Sequence, residues 1–126
     1  MALDVSTLGS MAGSYASRHP REILELALKE YSPDLGIAFS GAGDVTLVDM
    51  APKIGLPYKV FVPDTGRLHA ETYQFIEKVR THYRITIEAV FPQGEAVQAL
   101  VRKKGLFSFY VDGQKKCCGI RKREPL

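Results

Sequence analysis

The sequence predicts an α/β protein, a Rossmann-like three-layer fold with a mostly parallel sheet covered by helices on both faces. Short apolar runs at 36–39, 58–62 and 85–91 have the composition of strands. Segments with apolar residues at helical spacing precede, separate and follow these runs. Strands that alternate with helices in short order form parallel sheets with right-handed crossovers.

Composition indicates one soluble globular domain. The chain has 126 residues, of which 45% are hydrophobic and 25% are charged. No apolar run approaches the roughly 20 residues that span a bilayer, and the N-terminus lacks the pattern of a secretory signal. We therefore expect an intracellular protein with neither a membrane nor a nucleic-acid partner. The net charge of +3 is uneven, because residues 101–126 hold eight Lys or Arg against two acids. Such a basic segment either lies on the solvated surface or lines a site for an anionic ligand.

The chain begins with a weakly patterned segment and a strongly patterned helix. Residues 1–19 are rich in Ala, Ser, Gly and Met, and we expect a weakly ordered N-terminal segment there. From Pro20 to Tyr31, apolar residues recur at helical spacing behind an N-terminal proline, which predicts an amphipathic helix. The main domain accordingly spans residues 20–126.

A glycine-rich turn follows the first strand, and helical spacing begins again at Val45. The turn consists of Ser40, Gly41, Ala42, Gly43 and Asp44. Unpaired amides and the positive end of the macrodipole at a helix N-terminus, beside small side chains, form an anion site. A phosphate suits this turn, although it is neither a Walker sequence nor a dinucleotide fingerprint. The alternative is a tight connection in which Asp44 caps the helix.

The elements that follow alternate in the same way. We expect Pro52 to kink the helix that begins at Val45 or to end it early. A loop, 64–67, follows the second strand, and the next helix covers roughly 70–83. After the third strand a further helix ends at Gly105 behind two lysines. Ligands of parallel sheets bind beyond the carboxyl ends of the strands, where the glycine-rich turn and this loop lie.

The last part of the chain carries three aromatic residues and two adjacent cysteines. We interpret Phe107, Phe109 and Tyr110 as core and hairpin-like packing residues. A disulfide between Cys117 and Cys118 would close a strained ring and span no loop. Structural zinc needs four Cys or His ligands, and the three histidines show no such spacing with this pair. Metal ligation and reduced thiols remain as interpretations.

Four blocks of sequence occur in a specific order. They are Phe39-Ser40-Gly41-Ala42-x-Asp44-Val45, Asp64-Thr65-Gly66-Arg67-Leu68-His69-x-Glu71-Thr72-Tyr73, Lys104-Gly105-Leu106-Phe107-Ser108-Phe109-Tyr110 and Cys117-Cys118-Gly119-Ile120-Arg121-Lys122. Together they resemble the assimilatory adenylyl-sulfate (APS) reductases over roughly residues 20–126. The resemblance implies an adenine nucleotide α-hydrolase-like fold and the reduction of adenylyl sulfate to sulfite and AMP in sulfate assimilation. It also implies thioredoxin, glutathione or a glutaredoxin-like protein as electron donor, a cytoplasmic or, in a plant, plastid location, and a possible homo-oligomer.

The resemblance also implies roles for individual residues. Cys117 and Cys118 are expected to be two of the four cysteine ligands of a 4Fe–4S cluster. Lys122 is expected between the cluster and the substrate, where a cation stabilises both negative charges. Adenylyl sulfate or AMP is expected to contact Ser40, Gly41, Ala42, Asp44, Asp64, Thr65, Gly66, Arg67, Arg121 and Lys122.

The chain departs from this family in length and at two positions. It ends at about half the family's length, before a second cysteine pair, an arginine-rich substrate loop and the nucleophilic cysteine. We therefore expect a truncated N-terminal half with no catalytic residue, an incomplete cluster and poor anchoring from Gly105 onward. A short nucleotide-binding protein without redox chemistry and a non-catalytic relic are the alternatives. Gly43 stands where the family has an acid, and Pro63 replaces a leucine whose amide could contact adenine.

Overall fold

The structure, a computed structural model, describes residues 4–126. These residues form seven α-helices and three strands, in the order α1 (Val5–Tyr15), α2 (Pro20–Tyr31), β1 (Gly36–Ala38), α3 (Val45–Ile54), β2 (Lys59–Pro63), α4 (Ala70–Tyr83), β3 (Glu88–Val90), α5 (Gly94–Lys104), α6 (Ser108–Asp112) and α7 (Gln114–Cys118). A 3-10 turn at Ala42–Asp44 leads into α3, and a π-helical turn at Gly119–Arg123 follows α7. None of the helices described is long and apolar enough to cross a membrane.

The three strands form one parallel sheet in the order β1-β2-β3. Main-chain pairing continues just past the strands at their carboxyl ends. The amide of Phe39 donates to the carbonyl of Phe61 at 2.8 Å, and the amide of Asp64 donates to the carbonyl of Val90 at 2.9 Å. The predicted α/β class and parallel sheet are confirmed. The glycine-rich turn and the loop after β2 therefore begin at the same edge of the sheet.

One face of the sheet packs against helices α2, α3 and α4. Ile37 and its register partner Val60 are buried on this face together with Phe39. The helices complete the core with Leu24, Leu28, Val48, Ala51 and Val79. Both crossovers run in the same direction across the sheet, and right-handed crossovers of one direction place their helices on one face. The core therefore lies on a single side of the sheet.

The opposite face differs from the prediction of helices on both sides. Gly36, Ala38, Lys59 and Glu88 are exposed there, and Phe61 is half-buried. A Cβ atom at Gly36 would lie 3.1 Å from the Phe61 ring, so glycine allows that ring to lie close to β1. At these positions the second helix layer of the predicted three-layer fold is not present within residues 4–126.

Two helices match the sequence pattern, and a third runs past its expected end. Helices α2 and α4 have the predicted bounds. Pro52 was expected to kink α3 or end it early, but α3 continues through this residue and ends at Ile54, before Gly55, where φ is 78°. Pro52 lies in the last turn, where only one main-chain hydrogen bond depends on its missing amide. Gly55, whose main chain lies in the left-handed region, ends the helix instead.

Residues 5–15 form a helix where weak order was expected. The side chain of Asp4 caps α1 by accepting a hydrogen bond from the Ser6 amide at 3.4 Å. None of the residues of α1 is buried. Folding therefore removes little of the apolar surface of α1 from water, and α1 contributes little to the core. Residues 1–3 lie outside the described part of the chain.

Candidate functional site

The glycine-rich turn is built around the carboxylate of Asp44. One oxygen, Oδ2, accepts hydrogen bonds from the Ser40 amide at 2.8 Å, the Ser40 hydroxyl at 2.9 Å and the Gly41 amide at 3.2 Å. The Ser40 amide is the largest of the causes that lower the pKa of Asp44 from its ordinary value. The side chain makes no capping bond to α3. The interpretation of Asp44 as a cap of that helix is therefore wrong, because the side chain reaches back across the turn.

The outer side of the turn remains open to a ligand. Asp44 uses the amides of Ser40 and Gly41, whereas Ala42 and Gly43 begin the 3-10 turn, where amides have no partner within a helix. Ala42 and Gly43 are exposed, and no atom lies within 4 Å of a Cβ atom built at Gly41 or Gly43. These are the two amides that the phosphate predicted from the sequence would use.

The loop after β2 is held by its own side chains. Asp64 is buried, and its Oδ1 atom accepts from the Gly66 amide at 2.8 Å and from the Tyr73 hydroxyl at 2.9 Å. The bond to Asp64 is the main reason that the pKa of Tyr73 is raised. The Thr65 hydroxyl oxygen accepts from the Arg67 amide at 3.2 Å. The side chains of Asp64 and Thr65 thus shape the loop. Tyr73 lies in the second resemblance block but was not predicted as a site residue.

Arg67 joins this loop to the segment after α5. Its Nη1 atom donates to the carbonyl oxygen of Leu106, and its guanidinium carbon lies 5.6 Å from the centre of the Phe107 ring. A cation over an aromatic face is attracted by the ring quadrupole. Arg67 is therefore a contact between distant parts of the chain as well as a candidate ligand.

The three aromatic residues after Gly105 do not form the predicted hairpin-like packing. Phe109 and Tyr110 lie in α6, with ring centres 5.0 Å apart in an edge-to-face arrangement. Phe107 and Tyr110 are 64% and 73% exposed. Glycines with positive φ, Gly105 and Gly113, precede and follow this short helix. Both glycines turn the chain at the ends of this short helix, and the segment forms no strand.

Arg121 anchors the end of the chain. Its side chain is only 8% exposed, and Nη1 donates to the carbonyl oxygen of Thr65 at 2.7 Å. Arg121 thus ties the end of the chain to the loop after β2, whereas most residues between Gly105 and Lys116 are exposed, so the expected poor anchoring of this region stays a prediction. A hydrogen bond from a charged donor to a buried acceptor stabilises a contact more than a neutral bond does.

A cavity of about 210 Å³ lies where this segment meets the loop after β2. Its lining residues are Thr65, Arg67, Phe109, Tyr110, Cys117, Cys118, Arg121 and Lys122. The cavity brings together six of the predicted residues, and Phe109 and Tyr110 were missed because they were interpreted as core. Ser40, Gly41, Ala42 and Asp44 lie in the neighbouring turn and do not line the cavity.

Cys117 and Cys118 could supply some, but not all, of the ligands of a metal group. Cys117 and Cys118 are free and half-buried, and both line the cavity. Among residues 4–126, no group of three or more His, Cys, Asp or Glu could hold a metal ion. A four-iron cluster takes four thiolates, so the described part of the chain supplies two ligands and does not complete the site.

The fold and the site define a class of protein. A parallel α/β sheet carries an anion-suited turn and a cation-lined cavity at the carboxyl ends of its strands, as in nucleotide-binding α/β proteins. The family described as "Phosphoadenosine phosphosulfate reductase domain" matches residues 34–126. The chain belongs to this family, which confirms the resemblance seen in the sequence.

Known relatives and a solved structure agree with this assignment. The chain is 53% identical over 119 residues to "Adenosine 5'-phosphosulfate reductase" of Pseudomonas aeruginosa (strain LESB58), covering 94% of this chain and 45% of the relative. It is 48% identical over 124 residues to "5'-adenylylsulfate reductase 1, chloroplastic" of Arabidopsis thaliana, covering 98% of this chain and 27% of the relative. The phosphate complex of phosphoadenylyl-sulfate reductase from Candida auris has the same fold, with a TM-score of 0.74 at 21% identity over 99% of this chain and 61% of that chain. The chain thus spans less than half the length of these two curated relatives.

Proposed function

We propose that this chain is the nucleotide-binding N-terminal part of an adenylyl-sulfate reductase, which reduces adenylyl sulfate to sulfite and AMP in sulfate assimilation. The cavity carries this inference, because the loop after β2 meets a pair of thiols and two cations there. Relatives from Pseudomonas aeruginosa and Arabidopsis thaliana bear the names of such reductases. The paired cysteines favour adenylyl sulfate over its phosphorylated form, by resemblance to the APS-type enzymes.

The proposed reaction has two steps, and a thiol is the nucleophile in each of them. A thiolate attacks the sulfur of adenylyl sulfate, a sulfur–sulfur bond forms, and the sulfur–oxygen bond to AMP breaks. A thiol of thioredoxin, glutathione or a glutaredoxin-like donor then attacks the resulting S-sulfonate, so that a disulfide forms and sulfite leaves. By the resemblance to this family, the first thiol would come from a part of the relatives that this chain does not span.

Lys122 is proposed as the cation that meets the anionic end of the substrate. Arg121 donates to Thr65 and Arg67 donates to Leu106, so both guanidinium groups already have protein partners. Lys122 lines the cavity, and its ammonium group makes no hydrogen bond or ion pair with the other residues of 4–126. Its ammonium group can therefore bind the departing phosphate oxygen as negative charge develops there.

Cys117 and Cys118 are proposed as two of four ligands of a 4Fe–4S cluster. Their adjacency and their position in one cavity support this role. The other two thiolates would come from a part of the relatives that this chain does not span. When bound, such a cluster supplies electrostatic or redox chemistry beside the substrate.

Isothermal titration with AMP tests the proposed substrate site. The 126-residue chain is expected to bind AMP weakly, and Lys122→Ala should weaken binding about tenfold because a charge-assisted hydrogen bond is lost. Arg123→Ala is the matched control, since Arg123 is an exposed cation next to Lys122. Equal effects of the two substitutions would contradict the role of Lys122. No binding to the unsubstituted chain would favour a non-catalytic relic.

A second measurement separates a reductase from a nucleotide-binding protein without redox chemistry. The 126-residue chain alone should release no sulfite from adenylyl sulfate and thioredoxin above a no-protein control. Addition of the complementary C-terminal half of the Pseudomonas aeruginosa relative should restore sulfite release. Failure to restore it, with AMP binding intact, would favour the non-redox alternative.

A further inference from the structure

Arg121 makes a contact that links two distant parts of the chain. Its Nη1 atom lies 2.7 Å from the carbonyl oxygen of Thr65, 56 residues earlier. The same atom is 3.4 Å from the position of a Cβ atom on Gly66, where φ is 73°. The guanidinium group is therefore packed directly against the main chain of the loop after β2.

The two ends of this contact differ in how firmly they are held. Asp64 holds the loop through the Gly66 amide and the Tyr73 hydroxyl. The cysteine segment, by contrast, consists of the five-residue helix α7 and one π-helical turn. Helices this short are marginal without tertiary contacts. The loop is thus the firm partner, and the cysteine segment depends on it.

Arg121 and the thiols lie close together on the cysteine segment. Arg121 follows Cys117 by four residues, a spacing that places both on one side of a helical turn, and both line the cavity. Arg121 is therefore the residue of this segment whose side chain connects the thiols' surroundings to the loop.

The burial of Arg121 has a cost that a purely structural side chain would avoid. Its Nε atom is buried without a hydrogen-bond partner among residues 4–126. A buried donor without an acceptor is unfavourable, and such groups are rare unless they serve a site. An apolar side chain could fill the same space, but it could not donate to the Thr65 carbonyl.

We propose that Arg121 is a positioning residue that holds the Cys117–Cys118 segment against the loop after β2. Loss of its hydrogen bond to Thr65 releases the thiols from the cavity while the sheet stays folded. This role goes beyond the proposed function, since it requires neither nucleotide nor cluster, and it can fail or hold independently of AMP binding.

Hydrogen–deuterium exchange of the 126-residue chain, followed by mass spectrometry, tests this role. Arg121→Ala should raise exchange about tenfold in peptides covering 114–123, because a charge-assisted hydrogen bond is lost, whereas peptides covering 64–67 should change less because Asp64 still holds the loop. Exchange in α2 and α3 should not change. Arg121→Lys should give an intermediate rate, because an ammonium group retains a donor. Arg123→Ala, which removes an exposed cation from the same turn, should match the unsubstituted chain.

A second variant changes the loop side of the contact between Arg121 and Thr65. Gly66→Ala strains the loop at its positive φ of 73° and brings a methyl group into contact with Nη1, so it should also raise exchange in 114–123. The double variant should show no more exchange in 114–123 than Arg121→Ala alone, because both substitutions act on the same contact. Independent, additive increases would overturn the proposed role. Unchanged exchange in 114–123 in Arg121→Ala, or an equal increase in α2 and α3, would also overturn it.

Discussion

The carboxylate of Asp44 accepts hydrogen bonds from both the amide and the hydroxyl of Ser40, at 2.8 and 2.9 Å. A third bond, from the Gly41 amide, reaches the same oxygen. The side chain thereby occupies two amides of the glycine-rich turn. The phosphate predicted from the sequence would have to use the amides of Ala42 and Gly43.

Asp44→Asn should destabilise the chain in a pH-dependent way. The hydrogen bonds favour the carboxylate, so the pKa of Asp44 is lowered on folding. Its stabilisation is therefore complete above the ordinary carboxyl pKa of about 3.9 and is lost as the pH falls through the lowered value. Urea unfolding at neutral pH should show a loss of about 1 kcal/mol in the free energy of unfolding. The loss should shrink in acid.

Asp34→Asn is the control for this measurement, because the Asp34 side chain is 85% exposed. Its substitution should change the free energy of unfolding little at any pH. A loss of stability in Asp44→Asn that persisted unchanged in strong acid would contradict the hydrogen-bonded carboxylate.

Gly41→Leu should abolish AMP binding while the chain stays folded. No atom lies within 4 Å of a Cβ atom at Gly41, and its φ of −169° is open to any residue. A leucine side chain there would nevertheless block the approach of a phosphate to the turn. Isothermal titration and circular dichroism are the measurements. Gly9→Leu, at an equally open position in α1, should bind AMP normally. Normal AMP binding by Gly41→Leu would exclude the turn as the phosphate site.

Tyr73→Phe should loosen the loop after β2. The Tyr73 hydroxyl donates to the buried carboxylate of Asp64, and phenylalanine removes only this donor. We expect a loss of about 0.5–1.5 kcal/mol in the free energy of unfolding, measured with urea. Tyr110→Phe is the control, since Tyr110 is 73% exposed. Equal stability of the two variants would show that the bond to Asp64 contributes nothing.

Anaerobic iron–sulfur reconstitution of the 126-residue chain should leave no stable brown chromophore at about 400 nm. Cys117 and Cys118 supply two thiolates, and no third ligand accompanies them in the described residues. Addition of the complementary half of a relative should allow the chromophore to form, and Cys117→Ser should prevent it. A stable cluster on the isolated chain would contradict this, unless two chains were shown to supply two cysteines each.

The sequence by itself determined the elements whose signals are local. Helix α2 begins at Pro20 and carries a buried apolar stripe, as the proline and the apolar spacing predicted, whereas the cap by the His19 ring nitrogen was found only in the structure. Short apolar runs bounded by turn residues identified the three parallel strands, although the third strand is shorter than its run. Periodicity and a proline at a helix start depend on neighbouring residues, so they can be read without a structure.

Only the tertiary structure decided which residues meet. Phe107 and Tyr110 are exposed at and within the short helix α6, although their aromatic composition indicated core packing. The direction of the two crossovers left one face of the sheet open. Arg121 becomes a buried anchor because the loop after β2 presents the Thr65 carbonyl to it. Contacts between residues far apart in sequence depend on how the whole chain packs, and no local pattern of propensity or spacing encodes them.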